Sequence, residues 1–210
     1  MTTAKKLLHF LTTNTITLAS IFNSLPTQAA WQKQYEWHPK DVVDLMYAEI
    51  QIIHNYQYTP NLVWDVMEGS SGGCGEILGS QYCSRNHTIY ITHNHIKMAY
   101  EHGDAALAYI ISHEYAHAMQ TAYGFMPNQV LVAELQADCL AGVYFGTIPN
   151  IEFDAKDIVE ASTLAYRIGD FEFYSRDHHG TPQQRYEAIS LGMNASAGRS
   201  GVQACINYYR

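Results

Sequence analysis

His113 and His117 stand four residues apart, with Glu114 directly after the first, in the run His113-Glu114-Tyr115-Ala116-His117. On a helix, positions i and i+4 share one face a turn apart, so both imidazoles present to one point. Neutral imidazole suits Zn²⁺, and two such ligands leave room for a third and for a water. Glu114 is offset by one residue. It reaches the metal's flank, where a carboxylate can take a proton from that water. A chance pairing of two among 11 histidines on an exposed helix is the bland alternative.

That alternative weakens at Glu134-Leu135-Gln136-Ala137-Asp138. Glu134 and Asp138 are again i and i+4 neighbours, set among Val130, Leu131, Ala133, Leu135, Leu140 and Ala141. Gly124 and Pro127 break the chain between the two segments and let them fold back as a hairpin. Glu134 then becomes the third ligand, and Asp138 accepts from a ligand imidazole N–H, His113 by preference. Further on, His179 precedes Thr181-Pro182. A His before a helix N-terminus can donate to an oxyanion. Arg185 either braces this loop or contacts a substrate carbonyl or carboxylate. A turn histidine and a surface ion pair are the plain readings of these two, and His178 carries less weight.

These residues need elements to position them. Apolar spacing from Pro39 to about Tyr56 predicts a helix. Residues 60 to 86 are rich in Gly and Ser and read as a loop, with short strands at its edges. Thr88-Ile89-Tyr90-Ile91-Thr92 is the best strand, with a plain core role as the alternative to a substrate-pairing edge. In the edge reading, Ile89, Tyr90 and Ile91 bind an extended peptide above the metal. Helices follow over 94–102, from an Asp104 cap to about Tyr123, from an Asn128 cap to about Phe145, over 154–168, and from a Thr181 cap with Pro182 at the first position to about Gly192. His93 and His95 read as surface residues. The expectation is one α+β domain, mostly helical, with a small sheet.

The chain has 210 residues, 47% of them apolar, and a formal net charge of −8. Twelve Lys plus Arg without a cluster exclude a nucleic-acid footprint and an electrostatic hold on anionic lipid. Residues 1–29 read as a signal peptide: Lys5 and Lys6, the moderately apolar stretch from Leu7 to Phe22, and Thr27-Gln28-Ala29 before the cut. An uncleaved anchor is the alternative. Residues 30–210 form the catalytic domain, secreted or periplasmic. Four Cys then suggest disulfides. Cys74 with Cys83 around a Gly-rich turn is the natural pair, which leaves Cys139 with Cys205; four free thiols is the alternative.

With its three motifs in this order, His113 to Gln120, Glu134 to Gly142 and His179 to Arg185, the chain resembles the bacterial neutral zinc metallopeptidase family over roughly residues 60–208. The resemblance implies a zincin-like domain with His113, His117 and Glu134 on Zn²⁺, a peptide or protein substrate, export from the cytoplasm, and the pairings Cys74–Cys83 and Cys139–Cys205. More distantly, the chain is similar to membrane zinc peptidases of the prenyl-protein protease type. They share the His–Arg spacing of His179 and Arg185, which implies a transition-state role for both. Tyr115, Ala116 and Ala118 depart from the closer family, which bears on substrate preference. The rival classes are a non-catalytic zinc-binding or chaperone-like module, and a latent enzyme covered by residues 30–38 or by the glycine-rich loop. Oligomeric state stays open.

Overall fold

A computed structural model describes residues 37–175, 178–197 and 200–210. The expected signal peptide and residues 30–36 lie outside them. Seven helices and five short strands occur among the described residues, in the order α1 (Pro39–Ile53), β1 (Asn61–Val66), β2 (Ser71–Gly72), β3 (Gly75–Glu76), β4 (Gln81–Cys83), β5 (Thr88–Thr92), α2 (His93–Tyr100), α3 (Asp104–Tyr123), α4 (Val130–Thr147), α5 (Ala155–Arg167), α6 (Pro182–Ala197) and α7 (Gly201–Tyr208). The α+β, mostly helical architecture is the one the sequence predicts.

Helix α3 is the centre of the molecule. From Asp104 to Ala116 every residue is buried, and only Gly124, in the left-handed conformation at φ 70°, stops it. A helix apolar on all sides must be covered on all sides. Helices α1, α4 and α5 and the sheet cover it. Gly103 caps its N-terminus in place of the expected Asp104, which is the first helical residue. A Cβ on Gly103 would overlap the Glu160 carboxylate. That carboxylate accepts from the Ala105 N–H at 3.3 Å and so serves the helix end that a side-chain cap would serve.

Helix α4 begins after Gln129, one residue past the expected Asn128 cap, and runs antiparallel to α3 as a hairpin partner. Its other side meets α6 at backbone contact. A Cβ on Gly142 would lie 2.2 Å from the Ile189 carbonyl oxygen, and one on Gly192 would lie 1.8 Å from that of Cys139. Only glycine permits this approach, and it brings Arg185 on α6 beside Asp138 on α4. The start of α6 follows the sequence: Thr181 Oγ1 accepts from Gln184 N–H at 3.2 Å, Gln184 Oε1 accepts from Thr181 N–H at 2.9 Å, and Pro182 opens the helix. It extends past Gly192 to Ala197, and the short α7 follows. Cys139–Cys205 ties α7 to α4, and Cys74–Cys83 ties the glycine-rich loop to β4.

The sheet corrects one expectation. Its order is β1-β5-β4, with β1 parallel and β4 antiparallel to β5. The segment Thr88–Thr92 is therefore the central strand, with all five residues buried. Ile89 and Tyr90 are paired on both sides and Ile91 is buried between Tyr90 and Thr92, so the segment presents no edge to a substrate. The edges belong to β1 and β4, the two ends of the segment that reads as a loop.

Candidate metal centre

The α3–α4 hairpin brings His113, His117 and Glu134 together. His113 Nε2 lies 3.1 Å from His117 Nε2 and 3.2 Å from Glu134 Oε2, and His117 Nε2 lies 3.3 Å from Glu134 Oε1. Two candidate ligands on one helix face and a third from the antiparallel helix give a triangle rather than a row.

The other nitrogen of each imidazole is engaged. His113 Nδ1–H donates to Asp138 Oδ1 at 2.8 Å, and His117 Nδ1–H donates to Gln120 Oε1 at 2.8 Å. With both Nδ1 committed as donors, each ring turns Nε2 toward its twin and toward a carboxylate, and a ring in its neutral form would present a lone pair there. Three lone-pair donors converging in a buried site require cations among them. A tetrahedral zinc at the usual Zn–N distance spaces its ligand atoms about 3.3 Å apart, so the triangle's edges fit the ion.

The electrostatics of the metal-free site follow from the same contacts. Burial alone would lower the His113 imidazolium, but Asp138 and Glu134 outweigh it and raise it to about 10. His117 is also raised, burial again being outweighed, here chiefly by Glu134. Burial would raise the Glu134 carboxyl, yet the two histidines hold it well below the usual range. Asp138 is lowered as well: burial opposes it, and Arg185 and His113 prevail.

Asp138 is wholly buried and accepts from His113, from Tyr109 Oη at 2.5 Å, and from Arg185 Nε and Nη2, both at 2.9 Å. Arg185 Nη2 also donates to Tyr109 Oη at 3.1 Å. Arg185 is itself only 4% exposed. The expected contact between Arg185 and a substrate is thus corrected: its guanidinium points inward and braces the carboxylate that holds His113. Tyr115, Ala116 and Ala118 are fully buried too, and the Tyr115 ring packs on Tyr47, His54 and Tyr144. These departures from the related pattern face the core, away from the cleft.

A cleft of about 730 Å³ opens over the triangle. Glu114, His179, Ser80, Gln81, Tyr82, Thr121, Met126, Asn128 and Val130 line it with His113, His117 and Glu134. Glu114 is buried but borders this space, and it hydrogen-bonds to no described residue. His179 is held by Asp170, whose Oδ2 accepts from the His179 backbone N–H at 3.2 Å and whose Oδ1 accepts from His178 Nδ1 at 2.5 Å. His178 therefore turns away to Asp170. His95 is half-buried instead of a surface residue, and its Nδ1 accepts from Ser80 N–H at 3.2 Å, fixing the start of β4. His93, also half-buried, lies 2.8 Å from Asp65. The glycine-rich loop borders the cleft through Cys74 and Ser80. Sequence reasoning missed Tyr109 and Gln120. Their spacing, four before His113 and three after His117, was the available signal.

The sequence profile of a family described as putative neutral zinc metallopeptidase matches residues 40–201. Among curated proteins, the chain is similar to the uncharacterized protein YpfJ of Escherichia coli K12 and to its namesake in strain CFT073. It is 28% identical to each over 200 aligned residues, covering 80% of this chain and 64% of the relative. The chain thus spans 64% of the length of these relatives. No solved structure matches.

Proposed function

The chain belongs to the neutral zinc metallopeptidase family, and from that premise we propose that it is an exported zinc-dependent endopeptidase acting on peptides or proteins in the cleft over His113, His117 and Glu134. The observation that carries the reading is the convergence of three lone-pair donors at 3.1–3.3 Å, with both Nδ1–H groups already committed elsewhere. A Zn²⁺ held by His113, His117 and Glu134 would supply Lewis acidity and would make a water bound to it acidic near neutral pH. Glu114, which borders the same cleft and hydrogen-bonds to no other described residue, is the group that would accept a proton from the attacking water and return it to the leaving amine. His179 donates to the carbonyl oxygen as it gains charge. The cleft-side strand edge belongs to β4, so an extended peptide pairs there, beside Ser80, Gln81 and Tyr82.

A non-catalytic zinc module would close the site with a fourth protein ligand. Among the described residues, the metal-competent cluster at this point consists of His113, His117 and Glu134 alone, which favours the catalytic reading. Export is proposed from residues 1–29. Two disulfides suit an oxidising compartment, and no described helix is long and apolar enough to cross a membrane.

The test is Glu114→Gln. Metal analysis should find zinc retained at the wild-type stoichiometry, while digestion of a peptide library ceases. Turnover that survives the substitution would sink the mechanism.

A further inference from the structure

We infer that Gln120 is a positioning residue that fixes the metal-binding tautomer of His117, and that Gln136 locks Gln120 against the C-terminal backbone. The inference rests on the zinc reading above and concerns how one ligand is held. The two faces of an amide have nearly the same shape, so its orientation is decided by its partners. Two partners here leave no choice. The Ala133 carbonyl oxygen on α4 can only accept, and it lies 2.8 Å from Gln120 Nε2. Gln120 must present its NH₂ there, which turns Oε1 onto His117 Nδ1 at 2.8 Å. An oxygen that only accepts requires Nδ1 to carry the proton. The Nε2 lone pair is then free, and it faces the other two ligands.

The same logic continues one step further. The Tyr209 carbonyl oxygen also only accepts, and Gln136 Nε2 donates to it at 2.7 Å. Gln136 Oε1 therefore faces inward and accepts from Gln120 Nε2 at 2.9 Å. Gln120 is fully buried and Gln136 is 1% exposed, so water offers neither amide an alternative partner. Reversing either amide sets oxygen against oxygen in a dry site. The chain of bonds runs from His117 across α3 and α4 to the segment that Cys139–Cys205 ties down. The tautomer of a metal ligand is thus set by the backbone at the end of the chain. His113 differs, since its partner Asp138 is an anion.

The competing explanation is a purely structural staple joining α3, α4 and the tail. Full-length variants separate the two: Gln120→Met, Gln120→Glu, Gln136→Met and the Gln120→Met/Gln136→Met pair. Zinc dissociation constants are measured by chelator competition, Co²⁺ spectra report the ligand field, and metal-free melting reports stability. Gln120→Met should weaken zinc about tenfold or more. Gln120→Glu keeps the acceptor for His117 and loses the two donors, so it should melt lower yet bind zinc no more weakly than wild type. Gln136→Met should weaken zinc by less, and the double variant should bind no worse than Gln120→Met alone. Wild-type zinc affinity in Gln120→Met, or equal losses in Gln120→Met and Gln120→Glu, would overturn the inference. If Gln120→Met does not fold, an unchanged zinc affinity in Gln136→Met overturns it. A wild-type protein that binds no zinc is a separate failure, and it removes the metallopeptidase reading as well.

Discussion

Arg185→Met is the perturbation that separates a residue touching substrate from one that holds the site together. Methionine keeps much of the volume on the buried face of α6 and removes the charge. Three hydrogen bonds go with it, two to Asp138 and one to Tyr109. Asp138 is left fully buried with His113 and Tyr109 as its remaining donors. Removing one member of a buried ion pair costs about 3–5 kcal/mol, because the other charge stays in the dry interior. His113, itself cationic in the metal-free protein, offsets part of this, so the lower end of that range is expected. For a chain of this size, each kcal/mol moves the melting point by about 2–4 °C. Metal-free Arg185→Met should therefore melt roughly 6–12 °C lower. The Asp138 carboxyl, no longer held down by Arg185, should shift up and grip His113 less firmly. Zinc affinity should then fall about 10–100-fold. Arg185→Lys keeps the charge without the two-pronged geometry and should lie between. The assays are calorimetric melting without metal, zinc competition, and peptide turnover at saturating zinc. A variant that melts within about 2 °C of wild type and binds zinc normally, but has lost turnover, would refute the bracing role and return Arg185 to the substrate.

Other outcomes follow from the same contacts. Metal-free His113 is raised to about 10 from an ordinary 6.5. Its stabilising contribution is therefore complete below pH 6.5 and is lost as pH rises through about 10. The metal-free protein should lose stability across that window, while zinc affinity, which requires deprotonated rings, should climb; melting with and without zinc at several pH values checks both, and parallel curves would count against the assignment. Asp138, held low by Arg185, adds stability that is lost on acidification through its lowered value, so acid unfolding of wild type should begin at lower pH than that of Asp138→Asn. Replacing Cys139 and Cys205 by Ser opens a loop spanning 66 residues. The loss should be about 4 kcal/mol by chain entropy, and denaturant unfolding measures it.

The part of the site that was legible in the sequence is the part governed by helical periodicity. Four-residue spacing alone places His113 with His117, and Glu134 with Asp138. The Gly124–Pro127 break folds one pair onto the other. Arg185 was misread because the six-residue gap from His179 says nothing about direction. The direction was available in α6 itself: Pro182, Arg185, Ala188, Ile189 and Gly192 form one buried stripe, and a cation in such a stripe needs a buried anion. The strand Thr88–Thr92 has no comparable signal. A short β-branched run reads the same at an edge and at a centre. Its place depended on β1, paired to it across a long excursion, and non-local pairing leaves little trace in local composition.

The charges around the triangle explain why so many ionisable groups tolerate burial together. Arg185 balances Asp138 in every state. That leaves the Glu134 carboxylate facing two imidazoles. Without metal, His113, raised to about 10, is protonated near neutral pH and its charge offsets that of Glu134, while Glu134 raises His117 in the same direction. A zinc ion held here would need a bare Nε2 on each ring, so His113 would give up its proton as the ion brought in positive charge. Metal uptake would then exchange part of the incoming charge for a proton, in a medium where surplus charge is expensive. The hydrogen bonds on Nδ1 keep the rings in place through the exchange, because the protons that leave are on Nε2. The measurable consequence is release of about one proton per zinc or more near neutral pH, read by titration calorimetry in buffers of different ionisation enthalpy. Release near zero would mean that the rings are already neutral in the metal-free protein, and that something other than protonated His113 and His117 holds the carboxylates in place.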